Sequence, residues 1–276
     1  MGSDLPTSEL ILLGVALVAS GAAMGFLSGF FGIGGGAVAV PVLYELFRLT
    51  GVPEDVRMQL AVGTSLAVMI PTSLRSAMAH RAKGSLDLAV LRRLAVPLLL
   101  GVGLGVWVAR FAPADLMRAV WVLFATIMCW KLVFGRASWR LGSDLPPSLG
   151  IEAYGAFVGM VSTLLSIGGG AFITMLLTLY GRPITQAVGT SAGFGPLIAV
   201  PATVGFIWAG WNAPGLPPLS LGFVSLIGVA LTMPAGVLAA PFGVRAAHGI
   251  ARRTLELLFA AFLGVIGLRF LIALVG

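Results

Sequence analysis

Glycines and hydroxyls carry the only recurrent chemistry in this sequence. The stretch from Gly25 to Ala37 holds Ser28 and three consecutive glycines, Gly34, Gly35 and Gly36, inside apolar sequence. A second copy runs from Gly159 to Ala171 and ends in Gly168-Gly169-Gly170. The copies also match at Gly25/Gly159, Ser28/Ser162, Ile33/Ile167 and Ala37/Ala171. Each glycine lowers helix stability by about 1 kcal/mol relative to Ala, so a triple glycine argues for a helix break. Close helix packing also selects glycine, but small-xxx-small spacing does not need three in a row. A helix that starts at a break presents unpaired N–H groups and the positive end of its dipole. Together these attract an anion.

Hydroxyls can add donors there without a buried charge. The run Ala61-Val62-Gly63-Thr64-Ser65 recurs without change as Ala187-Val188-Gly189-Thr190-Ser191. The candidate anion shell is therefore Ser28, Gly34, Gly35, Gly36, Thr64 and Ser65 from the first half. Ser162, Gly168, Gly169, Gly170, Thr190 and Ser191 supply it from the second. The competing role for each hydroxyl is a bond to its own helix carbonyl. Arg75, His80 and Asp87 are candidates for gating or coupling. Snorkelling explains Arg75 as well, and an interfacial loop position explains His80. A hydrolase would need a serine with a histidine in reach. Ser28 or Ser162 with His80 or His248 is the only such material, and both histidines fall at segment ends. The single cysteine, Cys129, excludes a Cys-cluster metal site and an internal disulfide. No metal, no cofactor and no enzymatic activity is expected.

The elements that must position these residues are transmembrane helices. The 276 residues are 58% hydrophobic and only 10% charged, with a mean hydropathy of +1.04. Soluble domains carry about 25% charged residues. The net charge of +7 then reflects basic loops rather than nucleic acid binding. No Lys or Arg precedes the first apolar run, which argues against a cleaved signal peptide. Apolar segments are predicted at 9–31, 57–79, 88–108, 116–134 and, in the second half, at matching places through 250–274. The pieces 37–49 and 171–181 are too short to cross alone, and their depth is open at this point.

Three pairs of landmarks recur in the same order. Gly25/Gly159, Ala61/Ala187 and Arg118/Arg253 are offset by 134, 126 and 135 residues. The expected fold is all-α, with two five-segment repeats, 1–140 and 141–276, each containing a glycine-broken helix pair. Alternate loops of ten segments collect Arg81, Lys83, Arg92, Arg93, Lys131, Arg136, Arg140, Arg182, Arg245, Arg252 and Arg253 on one face. The other face collects Arg48, Arg57, Arg110, Arg118 and Arg269. Positive loops mark the cytoplasm, so both termini are expected outside and the repeats are expected to be inverted. The six tryptophans mostly fall near segment ends, as an interfacial belt would. The last segment of each half, with few hydroxyls and no break, suits lipid or a homodimer contact.

These features lead to a resemblance. The glycine motifs, the Ala-Val-Gly-Thr-Ser runs and the loop His80-Arg81-Ala82-Lys83-Gly84-Ser85-Leu86-Asp87 together resemble the TauE/SafE sulfite exporter family, also called the 4-toluene sulfonate uptake permeases. The resemblance covers nearly the whole chain. Ala82 interrupts the family's basic pair, and Ser85 stands where Asn is common. The resemblance implies a secondary transporter, in a bacterial inner membrane, of a small sulfur oxyanion or organosulfonate such as sulfite, thiosulfate or sulfoacetate. An anion channel is the alternative, since broken helices also offer carbonyls for a filter.

Overall fold

The computed structural model describes residues 7–31, 36–134, 141–246 and 252–275. Ten helices stand among them: α1 (Thr7–Phe31), α2 (Gly36–Leu49), α3 (Glu54–Ala82), α4 (Leu88–Phe111), α5 (Ala114–Phe134), α6 (Leu149–Leu165), α7 (Gly170–Leu179), α8 (Ile184–Ala209), α9 (Leu226–Ala246) and α10 (Arg252–Val275). Four are long and apolar enough to cross a membrane: α4, α5, α8 and the Leu226–Gly243 part of α9. The all-α expectation needs one addition. A short antiparallel hairpin, β1 (Ser220–Leu221) and β2 (Val224–Ser225), precedes α9 and pairs Ser220 with Ser225.

Polar contacts show which helix ends lie together. At one end, Arg93 donates to the Leu145 and Pro146 carbonyls at 3.4 and 2.6 Å. There too Arg182 pairs with Asp144 at 3.0 Å, and the Leu141 N–H reaches the Leu179 carbonyl at 2.7 Å. This is the basic-loop end. At the other, the hairpin end, Gln59 donates to the Ala112 carbonyl at 3.2 Å. Arg118 there joins Asp115 and Glu54, and Arg269 meets Glu45 at 2.6 Å. Helix α6 thus begins, and α7 ends, at the basic-loop end. Helix α2 ends, and α3 begins, at the hairpin end.

Close backbone approaches fix the packing. Glycines of α4 and α6 interleave: a methyl group on Gly101 would overlap the Ala156 carbonyl, and one on Gly159 would overlap that of Leu98. Helices α1 and α9 do the same, with Gly25 against Gly236 and Gly21 against Thr232. Gly21/Gly25, Gly101/Gly105 and Gly155/Gly159 each have the four-residue spacing that lets membrane helices touch. The motif glycines Gly25 and Gly159 are therefore packing positions, apart from the break.

Helix α3 is central, against α2, α8 and α9. It buries Gln59, Thr64, Ser65, Thr72, Ser73 and Ser76. Helices α5 and α10 pack on each other, so their inner faces are covered by protein rather than by lipid. Their outer faces leave Leu123, Ile127, Val265 and Ile272 exposed. Trp121 departs from the expected aromatic belt. It is buried, edge-on to Phe124 at 5.8 Å and to Phe270 at 5.7 Å.

Candidate functional site

The second glycine motif is a break with defined geometry. Helix α6 stops at Leu165, and Ser166 takes the left-handed conformation at φ 54°. The Ile167 N–H bonds the Ser162 carbonyl at 2.9 Å, closing the helix end. Gly169 is also left-handed, at φ 70°, a conformation glycine adopts at no steric cost. Helix α7 starts at Gly170, and the Ile173 N–H makes a bond back to Gly169 at 2.9 Å. The N–H groups before Ile173 have no partner within the helix, and among the described residues no side chain caps them. With 10 residues, α7 is about 15 Å long, half of a bilayer core of about 30 Å. Its N-terminus therefore lies inside the protein, away from the basic-loop end. Gly168, Gly169 and Gly170 are all buried.

Ser162 faces this break. Its Oγ is buried and, among the described residues, has no hydrogen-bond partner. It lies 3.6 Å from where a Gly169 Cβ would stand. Such an orphaned hydroxyl costs about 1–3 kcal/mol, so its retention beside a helix N-terminus is informative.

The first motif meets the second. A methyl group on Gly36, the first residue of α2, would overlap the Ser166 carbonyl. Ser166 Oγ–H donates to Ser65 Oγ at 2.8 Å, both fully buried. Gly34 and Gly35 lie outside the described residues, as does His248. The side chain of Ser28 is outside them too. Ser166 escapes a search for matched residues because its counterpart is Gly32.

The Gly-Thr-Ser runs anchor neighbouring loops. The Asp87 N–H donates to Thr190 Oγ1 at 2.9 Å, and the Ser225 N–H to Thr64 Oγ1 at 2.9 Å. Asp87 and Ser225 are the residues before α4 and α9. Asp87 caps α4 by accepting from Ala89 and Val90 at 3.0 and 3.2 Å. Ser225 accepts from Gly228 at 3.2 Å. The glycine of each run makes room for the incoming loop: Gly189 faces Ser85, and Gly63 faces the Phe223 carbonyl. Each threonine thus anchors the loop leading into the next helix. Its oxygen accepts one backbone N–H, and its hydroxyl proton remains available to an anionic ligand. Ser191 donates to its own helix at Val188, 2.8 Å, and accepts from Thr174 at 3.0 Å.

His80 and Ser85 are joined by a 3.0 Å contact, so the loop containing His80 and Asp87 is packed onto the second Gly-Thr-Ser run. Burial, and then the nearby Lys83 charge, hold the His80 pKa below its ordinary value. Arg75 stands apart. It is exposed, with Nη1 3.4 Å from the Val237 carbonyl of α9. Among the described residues no cluster of His, Cys, Asp and Glu could hold a metal.

A helical bundle with apolar spanning helices and helix termini buried inside it defines an integral membrane protein. Comparison with known proteins names the class more closely. The model of the sulfite exporter TauE/SafE family matches residues 17–270, and the chain belongs to that family. A probable membrane transporter protein of Haemophilus influenzae is 34% identical over 252 residues, covering 90% of this chain and 94% of that protein. Another from Methanocaldococcus jannaschii is 27% identical, covering 94% of this chain and 96% of that protein. No solved structure matches. The protein is a membrane transporter.

Proposed function

We propose that this transporter carries a small sulfur-containing anion, such as sulfite, thiosulfate or sulfoacetate, by alternating access. The anion sits between the two breaks, held by backbone N–H groups at Gly35, Gly36, Gly169 and Gly170 and by nearby hydroxyls. The observation that carries this reading is the Ser162 hydroxyl, which has no partner among the described residues, beside the N-terminus of α7. Ser65 and Ser166 extend the same polar patch. Half-helices whose N-termini face an anion are a recurrent transporter device. The family's description names sulfite, which supports the substrate class.

The two halves, 1–140 and 141–276, act as inverted repeats in this account. Matched contacts support it. Thr64 and Thr190 anchor equivalent loops, α1 packs on α9 as α6 packs on α4, and the α1–α2 and α6–α7 pairs turn back toward opposite ends. The basic-loop end faces the cytoplasm of a bacterial inner membrane, and both termini lie outside. Rocking of one repeat against the other would expose the site to each side in turn.

A stabilisation screen tests the substrate class. Purified protein is unfolded thermally in the presence of sulfite, thiosulfate, sulfoacetate, chloride and sulfate. A bound substrate stabilises the folded state. A sulfur anion should raise the midpoint more than chloride does. Stabilisation by chloride alone would contradict the proposal.

A further inference from the structure

The hairpin end carries a concave feature, apart from the breaks. A cleft of about 410 Å³ lies at the last turns of α4 and α8, lined by Arg110, Phe111, Trp208, Trp211, Asn212 and Phe223 among others. The Arg110 guanidinium sits 4.1 Å from the Trp208 ring centroid and 5.7 Å from that of Phe111. Both contacts are in range of a cation–π attraction, which orients the cation over the cleft. No carboxylate lines the cleft, and among the described residues none pairs with Arg110.

Both flanking helices are long enough to cross a membrane, so their last turns fall at the depth of lipid headgroups. Trp107, Phe111, Trp208 and Trp211 are exposed there, as in an interfacial aromatic belt. Deeper along the same helices, Leu100 and Leu104 of α4 and Val200 and Val204 of α8 are exposed. Each pair is one helical turn apart and forms an apolar ridge. The helices approach closely between the ridges, where Val106 fits against Gly205. A cation at headgroup depth above an apolar furrow is complementary to one class of ligand, an anionic group attached to hydrocarbon chains.

We propose that this cleft binds the phosphate of an anionic phospholipid, with the acyl chains lying between α4 and α8. The guanidinium fork suits phosphate oxygens. An anionic headgroup is preferred over a zwitterionic one because the cleft offers no acid to an ammonium group.

The test uses the full-length protein, purified in detergent and stripped of lipid. Thermal unfolding is followed while phosphatidylglycerol or phosphatidylcholine is titrated in. Phosphatidylglycerol should raise the wild-type midpoint, and phosphatidylcholine should do so less. Arg110→Gln should raise the phosphatidylglycerol concentration for half-maximal effect by about tenfold, the loss of a charge-assisted contact. Trp208→Leu should shift it in the same direction, and it supplies the test if Arg110→Gln does not fold. Arg81→Gln, at the opposite end, should respond as wild type. A wild-type response from both cleft variants, or an equal response to the two lipids, would overturn the proposal. So would stabilisation by inorganic phosphate or sulfite that Arg110→Gln abolishes, which would assign the cleft to a soluble anion.

Discussion

Single hydroxyls divide into two kinds, and the division makes opposite predictions. Thr64 and Thr190 each satisfy a loop N–H. Thr64→Val leaves the buried Ser225 N–H without its acceptor. It should lower unfolding stability by about 1–3 kcal/mol, as should Thr190→Val through Asp87. Denaturation in detergent would measure both. Thr126, whose hydroxyl bonds only its own helix at 2.9 Å, is the control, and Thr126→Val should cost less. His80 adds a pH dependence. Its folded pKa lies below the ordinary value of 6.5, so the unfolded chain takes up its proton first as pH falls. The contribution of His80 is fully present above about pH 6.5 and is lost progressively below it. His80→Gln should flatten the thermal midpoint against pH below about 6.5, compared with wild type. An identical slope in the variant would remove His80 from the account.

At the scale of elements, glycine has two jobs that one letter does not distinguish. Gly101 faces the Ala156 carbonyl, whereas Gly103 on the same helix faces open space. Gly103→Ala should therefore raise stability by up to about 1 kcal/mol through helix propensity. Gly101→Ala should lower it by forcing α4 from α6, and thermal unfolding of the pair would show the contrast. The sequence made the second break legible, because three glycines in an apolar stretch have few other uses. It also showed that Gly-Thr-Ser mattered twice. It did not show how, because the partners of Thr64 and Thr190 lie 161 and 103 residues away. Ser166 and Thr174 were hidden for a related reason. Neither repeats in the first half, where Gly32 and Val40 stand in their places. The hairpin before α9 is only two residues per strand, too short for alternation to register.

For the whole molecule, composition already required a helical membrane protein, and ten segments were countable. Which ends lie together needed the structure, since it depends on contacts such as Arg93 with Pro146 and Arg118 with Glu54. The charge asymmetry between these ends predicts orientation. With Cys129 replaced by alanine, Pro218→Cys at the hairpin end should react with an impermeant thiol reagent on intact cells. Lys83→Cys at the basic-loop end should be protected until the cells are opened. The reverse pattern would invert the assigned topology and place both termini in the cytoplasm.

The central claim is that an anion binds at the paired breaks, and Ser162 tests it most directly. Among the described residues its hydroxyl has no hydrogen-bond partner, so Ser162→Ala removes no hydrogen bond that they make. We predict an unfolding midpoint equal to or above that of wild type. Flux into proteoliposomes of the sulfur anion that best stabilises the wild type should fall by about tenfold, the loss of one hydrogen bond to a charged group. Wild-type flux in a well-folded Ser162→Ala variant would contradict the account and move the site away from the breaks.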